Sequence, residues 1–283
     1  YKGNAEYRPS ASAESNVTIN KAKVKVKVKS ANIYAGDAMP QDFVTTNPSD
    51  RFDVYTIYAG LTSNVNAGIY LEMPEKYTNS TVLKLIDPVV SKIYGKSFTQ
   101  KMQDGMTVGE LRKLFSTQEL LDTLKKLHID TGTVGQILEI INKLPSVADT
   151  VRVSFGTPNR AGLYTVTAVT DNKNYETGVG VGALLVKMHS KGTKLSWNQS
   201  FTNGKLKASD VASFDFGATL SYDGDVSISQ SNVHYLYSGF TSKWKPYSST
   251  KAPTEPGRYV VTVVTIGGNY QAAPITRSFQ IVK

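Results

Sequence analysis

The chain of 283 residues contains no cysteine. Disulfide bridges, thiol nucleophiles and thiolate metal sites are therefore excluded. Histidine is scarce as well, because the three histidines (His128, His189 and His234) fall in separate segments without the spacing of metal ligands. No run approaches the roughly 18 apolar residues that a membrane-spanning helix needs. The sequence thus predicts no metal centre, no thiol enzyme and no membrane span.

Recognisable catalytic and cofactor motifs are missing too. No Gly-x-Ser-x-Gly nucleophile elbow occurs. Residues 178–182 (GVGVG) lack the third-glycine spacing of a dinucleotide loop and precede no predicted helix, so a flexible strand or a bulge is favoured. Residues 223–225 (DGD) lack the remaining oxygen ligands of a calcium loop, and a hairpin turn is the better interpretation. We therefore predict that the protein is not an enzyme and uses no cofactor or metal.

Basic residues outnumber acidic ones by 32 to 23, which gives a formal net charge of +9. Part of this surplus lies in residues 21–29, where lysines alternate with alanine and valine in the period-2 pattern of a half-buried strand. Such a row of lysines could grip an anionic polymer such as a glycan or a teichoic acid. More often it protects a sheet edge from pairing with another chain, and this interpretation is favoured.

One stretch of the sequence occurs twice, at residues 161–175 and 256–270, with a constant offset of 95 positions. Each copy contains a glycine, a β-branched alternating strand, a loop and an aromatic residue that begins the next strand. A constant offset indicates a duplicated module. The matching pairs are Gly162 and Gly257, Tyr164 and Tyr259, Thr167 and Thr262, Thr170 and Thr265, and Tyr175 and Tyr270.

Residues 79–145 have the periodicity of short amphipathic helices, the last of them near residues 133–144. Residues 107–110 (TVGE) and 116–119 (STQE) both have the form of a helix capping box. Without this segment, residues 22–187 have nearly the length of residues 188–283. The pattern therefore predicts a small helical bundle inserted into the first of two β domains.

The second copy and its flanks resemble a known family. Residues 237–239 (YSG), 247–262 (YSSTKAPTEPGRYVVT) and 268–270 (GNY) are similar to the Ig-like repeats of bacterial surface proteins, including the MBG family, and residues 21–38 resemble the opening strand and turn of these repeats. The resemblance covers both β domains but not the helical segment. It implies a β-sandwich fold and a cell-surface context, and it says little about the ligand.

From these observations we predict a mainly β chain of two tandem Ig-like antiparallel β-sandwiches, the first interrupted by a small α-helical bundle. Residues 1–21 would be the terminal strand of a preceding repeat or a linker, residues 22–187 the first sandwich with its insertion at 79–145, and residues 188–283 the second. We expect a secreted or cell-surface bacterial adhesin segment, monomeric within a longer tandem array, that binds a host or matrix protein, a glycoprotein or a glycan, and no nucleic acid.

Two candidate sites follow from the sequence. Loops and insertions on rigid scaffolds usually carry function, so the predicted helical insertion at residues 79–145 is the preferred partner-binding surface. Its candidate residues are Lys92, Tyr94, Lys96, Phe98, Lys113, Lys125 and Lys126. The alternatives are a polysaccharide-binding module, in which Trp244 and Tyr247 stack on sugars, and a purely structural stalk whose helices only brace the neighbouring domain.

Overall fold

The computed structural model describes most of the chain as a mainly β protein, which confirms the mainly β class that we predicted and is consistent with a β-sandwich. Structure is described for residues 2, 4–8, 19–49, 52–74, 81–117, 120, 122 and 146–283. The helix predicted near residues 133–144 and most of the predicted terminal strand in residues 1–21 lie outside these ranges. The predicted domain boundaries stay a prediction.

Strands β1 to β9 precede residue 188 and form what we call the first module. Seven of them build one sheet in the order β2-β9-β8-β4-β5-β7-β6, with the β2–β9 and β5–β7 pairs parallel. The other two, β1 and β3, pair with each other and cover the inner side of the large sheet. The strands are β1 Lys25–Val28, β2 Ala31–Tyr34, β3 Val44–Asn47, β4 Asp53–Thr62, β5 Ala67–Glu72, β6 Met106–Thr107, β7 Arg152–Phe155, β8 Gly162–Asp171 and β9 Val179–Lys187.

Strands β10 to β16 form the second module, whose large sheet has the order β11-β16-β15-β13-β14. This order repeats β2-β9-β8-β4-β5 of the first module, including the parallel edge strand, and the β10–β12 pair corresponds to β1–β3. The duplicated sequence is therefore also a duplicated topology. The strands are β10 Thr193–Trp197, β11 Lys205–Lys207, β12 Ala218–Tyr222, β13 Val233–Thr241, β14 Pro246–Ser249, β15 Gly257–Thr265 and β16 Ile275–Val282.

The repeated Gly-x-Tyr sequence performs the same structural task in both modules. A Cβ atom on Gly162 would lie 2.5 Å from the Leu61 carbonyl oxygen, so only glycine fits where β8 meets β4. The Tyr164 ring is fully buried, and its hydroxyl donates to the Arg160 carbonyl at 2.8 Å. Tyr259 in the second module makes the equivalent bond four residues back along the chain, at 2.9 Å. The repeated residues thus fix the start of the central strand.

The glycines of residues 178–182 lie in and next to β9, which supports the strand interpretation of this motif. They allow β1 to pack directly on the β9 backbone. A Cβ atom on Gly180 would lie 2.9 Å from the Val26 carbonyl oxygen, and one on Gly182 would lie 2.6 Å from a Val28 methyl group. The motif is therefore a packing device between the two sheets of the first module.

Among the described residues, three helices follow β5: α1 Thr81–Tyr94, α2 Phe98–Asp104 and α3 Val108–Phe115. The capping box predicted at residues 107–110 is confirmed, since the Thr107 and Glu110 side chains each accept a bond from the other's backbone N–H. A second capping box, at Ser97, precedes α2 and was not predicted. The box predicted at residues 116–119 falls partly outside the described residues.

These helices pack on the large sheet of the first module and share a core that is separate from the core between its two sheets. Ile69 and Leu71 of β5 and Val153 and Phe155 of β7 contribute to it from the sheet. We call residues 81–117 the helical segment. Its location means that the outer side of the sheet is covered at the β5–β7 edge.

Candidate functional site

Four residues predicted to bind a partner lie at the surface of the helical segment in two separate places. Lys92 and Tyr94 belong to the last turn of α1, Lys96 follows two residues later, and Lys113 lies in α3. The lysines are exposed and Tyr94 is half-buried. This part of the prediction thus corresponds to surface residues, although nothing in their arrangement identifies a ligand.

The charges near the end of α1 are partly satisfied within the chain. The Lys96 ammonium lies 2.6 Å from an Asp104 carboxylate oxygen, and this hydrogen bond holds the pKa of Asp104 below its usual range. The Lys101 ammonium lies 5.0 Å from the centre of the Tyr94 ring. The Lys96–Asp104 pair is exposed, so it contributes little to stability. It does offset one of the positive charges that this end offers to a partner.

The other predicted residues of the helical segment add nothing to this surface. Phe98 is buried, with its ring 6.3 Å from Phe115 and 6.0 Å from Phe155, so the expectation that it is an exposed anchor is wrong. The physical reason is that Phe98 begins an amphipathic helix whose apolar side faces the core. Lys125 and Lys126 lie outside the described residues.

A larger candidate surface lies on the outer face of the first module's sheet, where it is not covered by the helical segment. Six large apolar side chains there expose between 38 and 64% of their surface. They lie in cross-strand rows, for example Leu61 opposite Leu163 and Leu163 opposite Leu185. We call this surface the bare face. Its members are Ile57, Leu61, Leu163, Val179, Val181 and Leu185.

The bare face is continuous with the part of the sheet that carries the helices. Ile69 and Leu71 of β5 pack against the helical segment and lie opposite Ala59 and Ile57 of β4. A single apolar sheet surface is therefore covered by helices on one side and exposed on the other. Monomeric proteins rarely expose contiguous apolar patches of this kind unless the patch has a partner.

Sequence reasoning missed the bare face although a signal was present. In residues 183–186 (ALLV) apolar side chains occupy both faces of β9, with Leu184 and Val186 in the core and Leu185 outside. A strand that is apolar on both faces is typical of a sheet covered on both sides. The alternation in β8 concealed this, because threonines lie among the outward residues.

A second exposed apolar site lies at the hairpin between β13 and β14, residues 240–246, which we call the hairpin end. Trp244 at its tip exposes 83% of its surface, and its ring centre lies 6.4 Å from that of the half-exposed Phe240. Tyr247 does not join them. It is half-buried, donates its hydroxyl to the Lys251 carbonyl at 2.9 Å and packs edge-on against Tyr259. The predicted stacking pair is thus replaced by Trp244 and Phe240.

The two modules meet in a polar and aromatic contact that we call the junction. His189 lies between β9 and β10, and its ring is within 5.5 Å, centre to centre, of Tyr34 from the first module and Tyr222 and Tyr270 from the second. Its Nε2–H donates to the Ala35 carbonyl at 2.8 Å. The residue that links the modules therefore contacts both of them.

Loops of both modules complete the junction. The Asn269 side chain accepts a bond from the Ala161 N–H at 2.8 Å and donates to the Asn159 carbonyl at 2.9 Å. The Asn64 side chain accepts from the Gly268 N–H at 2.8 Å, and the Ser63 hydroxyl donates to the Gly268 carbonyl at 2.7 Å. These paired bonds fix the orientation of one module relative to the other.

One cleft of about 430 Å³ lies between β3, β4 and the segment that follows β5. Within it the Tyr58 hydroxyl donates to the Glu72 carboxylate at 2.6 Å, and burial raises the pKa of Tyr58 well above its usual value. A tyrosine that holds its proton this firmly is a structural donor rather than a general base. The cleft therefore does not suggest catalysis.

Within the described ranges, no group of three or more histidine, aspartate or glutamate side chains could hold a metal ion. His189 is engaged in the junction and His234 is exposed on β13, while His128 lies outside the description. Residues 223–225 contain a tight turn, in which Tyr222 and Asp225 exchange two backbone bonds of 2.9 Å. This agrees with the turn interpretation of the DGD motif.

Comparison with known proteins gives no family assignment. No known protein-family profile matches the chain, and no curated protein is significantly similar to it in sequence. Among the helices that the structure describes, none is both long and apolar enough to cross a membrane.

Proposed function

We propose that the chain is a non-enzymatic segment of a bacterial surface or secreted protein that binds a host or matrix protein. The absence of cysteine, the duplicated module and the resemblance to surface repeats support the extracellular context. The junction supports a role in display, because a fixed pair of modules holds a binding surface in a defined orientation. The main observation in favour of protein binding is the exposed apolar surface of the bare face.

The occupant that fits the bare face best is an amphipathic helix of the partner protein. The helical segment already packs on the neighbouring strands of the same sheet surface, through Ile69 and Leu71. A partner helix laid on β4, β8 and β9 would continue this layer and bury Leu163 and Val181. At about 25 cal/mol per Å² of apolar area, burial of several such side chains supplies a few kcal/mol or more. Recognition would follow the helix-in-groove mode.

The test is binding of the intact chain to immobilised fibronectin, fibrinogen and collagen. Leu163→Glu and Val181→Glu place charges on the bare face, so they should reduce binding to the recognised protein by about tenfold or more each. Leu236→Glu is the matched control, because Leu236 is a similarly exposed leucine on the sheet of the second module.

Three outcomes would contradict the proposal. One is that the intact chain binds none of the three proteins, and another is that the bare-face variants bind as well as the unaltered chain. The third is that the variants lose binding only together with their cooperative unfolding transition. Concentration-dependent dimerisation that disappears in Leu163→Glu would assign the bare face to a second copy of this chain instead.

A specific observation favours a second candidate function, polysaccharide binding at the hairpin end. Trp244 is the most exposed large aromatic side chain among the described residues. Aromatic rings at such a tip offer flat faces to sugar C–H groups. This candidate uses a different surface from the bare face, so the two functions are separable by mutation.

A further inference from the structure

The hairpin end has a counterpart in the first module, the β4–β5 hairpin of residues 61–67. Both hairpins close with the same backbone bonds, from Thr62 to Asn66 at 3.0 Å in the first and from Thr241 to Lys245 at 2.9 Å in the second. Their tip residues, Val65 and Trp244, both have a φ of 59°. The two hairpins are therefore equivalent positions of the duplicated fold.

In the first module this hairpin is a docking element. Ser63 and Asn64 hold the Gly268 backbone, and the adjacent Ala161 N–H is bonded to the Asn269 side chain. This end of the first module thus contacts the neighbouring module.

The hairpin end of the second module keeps a serine, Ser242, in the position of Ser63, but it has lost the other two groups that make this contact. Lys243 stands where the first module has Asn64, and Pro256, which has no N–H, stands where it has Ala161. A loop like that of residues 267–269 would find neither the amide acceptor nor the backbone donor. This end is therefore built for a different occupant.

What replaces those groups is a pair of rings surrounded by positive charge. The Trp244 and Phe240 rings are inclined at 54° to each other, which makes a twisted aromatic platform. Lys243 and Lys245 flank Trp244, and Arg258 lies opposite Phe240 in the sheet register. All three cationic side chains are exposed. In residues 240–258, four lysines and arginines accompany one acidic residue.

The surface next to the platform carries hydroxyl groups. Ser238 of β13 lies opposite Val260 of β15, which lies opposite Ser278 of β16, and Thr262 and Thr276 form the next row. This outer face is thus more polar than the bare face of the first module. A lipid surface gains little from hydroxyl groups, whereas a polysaccharide can exchange hydrogen bonds with them.

We propose that the hairpin end binds an acidic polysaccharide, with Trp244 and Phe240 against the sugar rings and with Lys243, Lys245 and Arg258 against the carboxylates. The site specifies the ligand class of the second candidate function and is independent of the protein-binding bare face. Uronate polymers have this chemistry.

Binding of the full chain to polygalacturonate, to neutral dextran and to phosphatidylserine vesicles tests the proposal. The chain should bind polygalacturonate, and Trp244→Ala should weaken that binding by about tenfold or more. Lys243→Ala combined with Lys245→Ala should weaken it as well, with a smaller salt dependence. Val65→Ala, at the equivalent tip, and the pair Lys205→Ala with Lys207→Ala, which removes the same charge from exposed positions of β11, are the matched controls and should bind normally.

The proposal is overturned if polygalacturonate does not bind, if the control pair weakens binding as much as the hairpin pair, or if dextran binds equally well. Binding to vesicles but not to polygalacturonate would also overturn it in favour of a membrane contact. Because Leu163→Glu leaves the hairpin end intact, it should retain polygalacturonate binding whatever becomes of the protein partner, so failure of one proposal is distinguishable from failure of the other.

Discussion

Asn269→Ala tests whether the junction couples the two modules. The substitution removes the bonds from the Asn269 side chain to the Ala161 N–H and the Asn159 carbonyl. A hydrogen bond contributes about 0.5–1.5 kcal/mol net, so the loss of both should cost about 1–3 kcal/mol. Ala161 is 1% exposed, and its orphaned N–H places the expected cost in the upper part of this range.

Urea unfolding followed by tryptophan fluorescence is a suitable assay, because Trp197 and Trp244 both lie in the second module. In the full chain, Asn269→Ala should lower the free energy of unfolding of this module by about 1–3 kcal/mol. The matched control is Asn174→Ala, which changes the same position of the repeat in the first module, where the side chain is exposed. It should change stability by less than about 0.5 kcal/mol, as measured by circular dichroism, because neither tryptophan lies in the first module.

We expect Asn269→Ala to lower stability only when the first module is present, because both bonding partners of the side chain belong to that module. In residues 188–283 alone, the partners of Asn269 are missing, and the substitution should be nearly neutral. If Asn269→Ala destabilises the isolated module as much as the full chain, the side chain supports its own loop and the coupling argument fails. Equal effects of the Asn174 and Asn269 substitutions would refute it as well.

Three further predictions concern the modules themselves. Tyr164→Phe removes the bond to the Arg160 carbonyl and should cost about 1 kcal/mol of unfolding free energy in urea titration, with no loss of the fold. Gly180→Val forces a side chain against the Val26 carbonyl and should destabilise the first module by about 1–3 kcal/mol or more, seen as a lower melting temperature by circular dichroism. Residues 188–283 should unfold cooperatively on their own in calorimetry, since the second module has its own core.

The repeat and the helix signals could be predicted from the sequence because they are local or periodic. The offset of 95 positions reveals the duplication, and the structure explains it through Gly162 and Tyr164. The capping box at Thr107 and Glu110 depends only on residues three apart, so it could be predicted without knowledge of the rest of the fold. The immunoglobulin-like assignment stays a prediction, because no family profile or related protein tests it. The predicted antiparallel pairing holds for most strands, but each large sheet also has a parallel strand at one edge.

The candidate sites were harder to predict because they depend on contacts between distant parts of the chain. Phe98 was predicted to bind a partner, but Phe115 and Phe155 enclose it. The exposure of Leu163 and Val181 depends on which strands the helices cover, and no local pattern encodes that. Trp244 was predicted as a sugar-stacking residue, while Phe240, its actual neighbour, belongs to the adjacent strand β13.

We propose above all that the bare face is exposed in the free chain and becomes buried when a partner protein binds. Because the chain has no cysteine, Leu163→Cys introduces a single thiol whose rate of reaction with a maleimide reports the exposure of this position. We predict rapid labelling of the free chain, strong protection in the complex with the bound matrix protein, and no protection of Leu236→Cys, which replaces a similarly exposed leucine in the second module. Slow labelling of Leu163→Cys in the dilute free chain would mean that the chain covers this face itself, and unchanged labelling in the complex would mean that the partner binds elsewhere; either result contradicts the account.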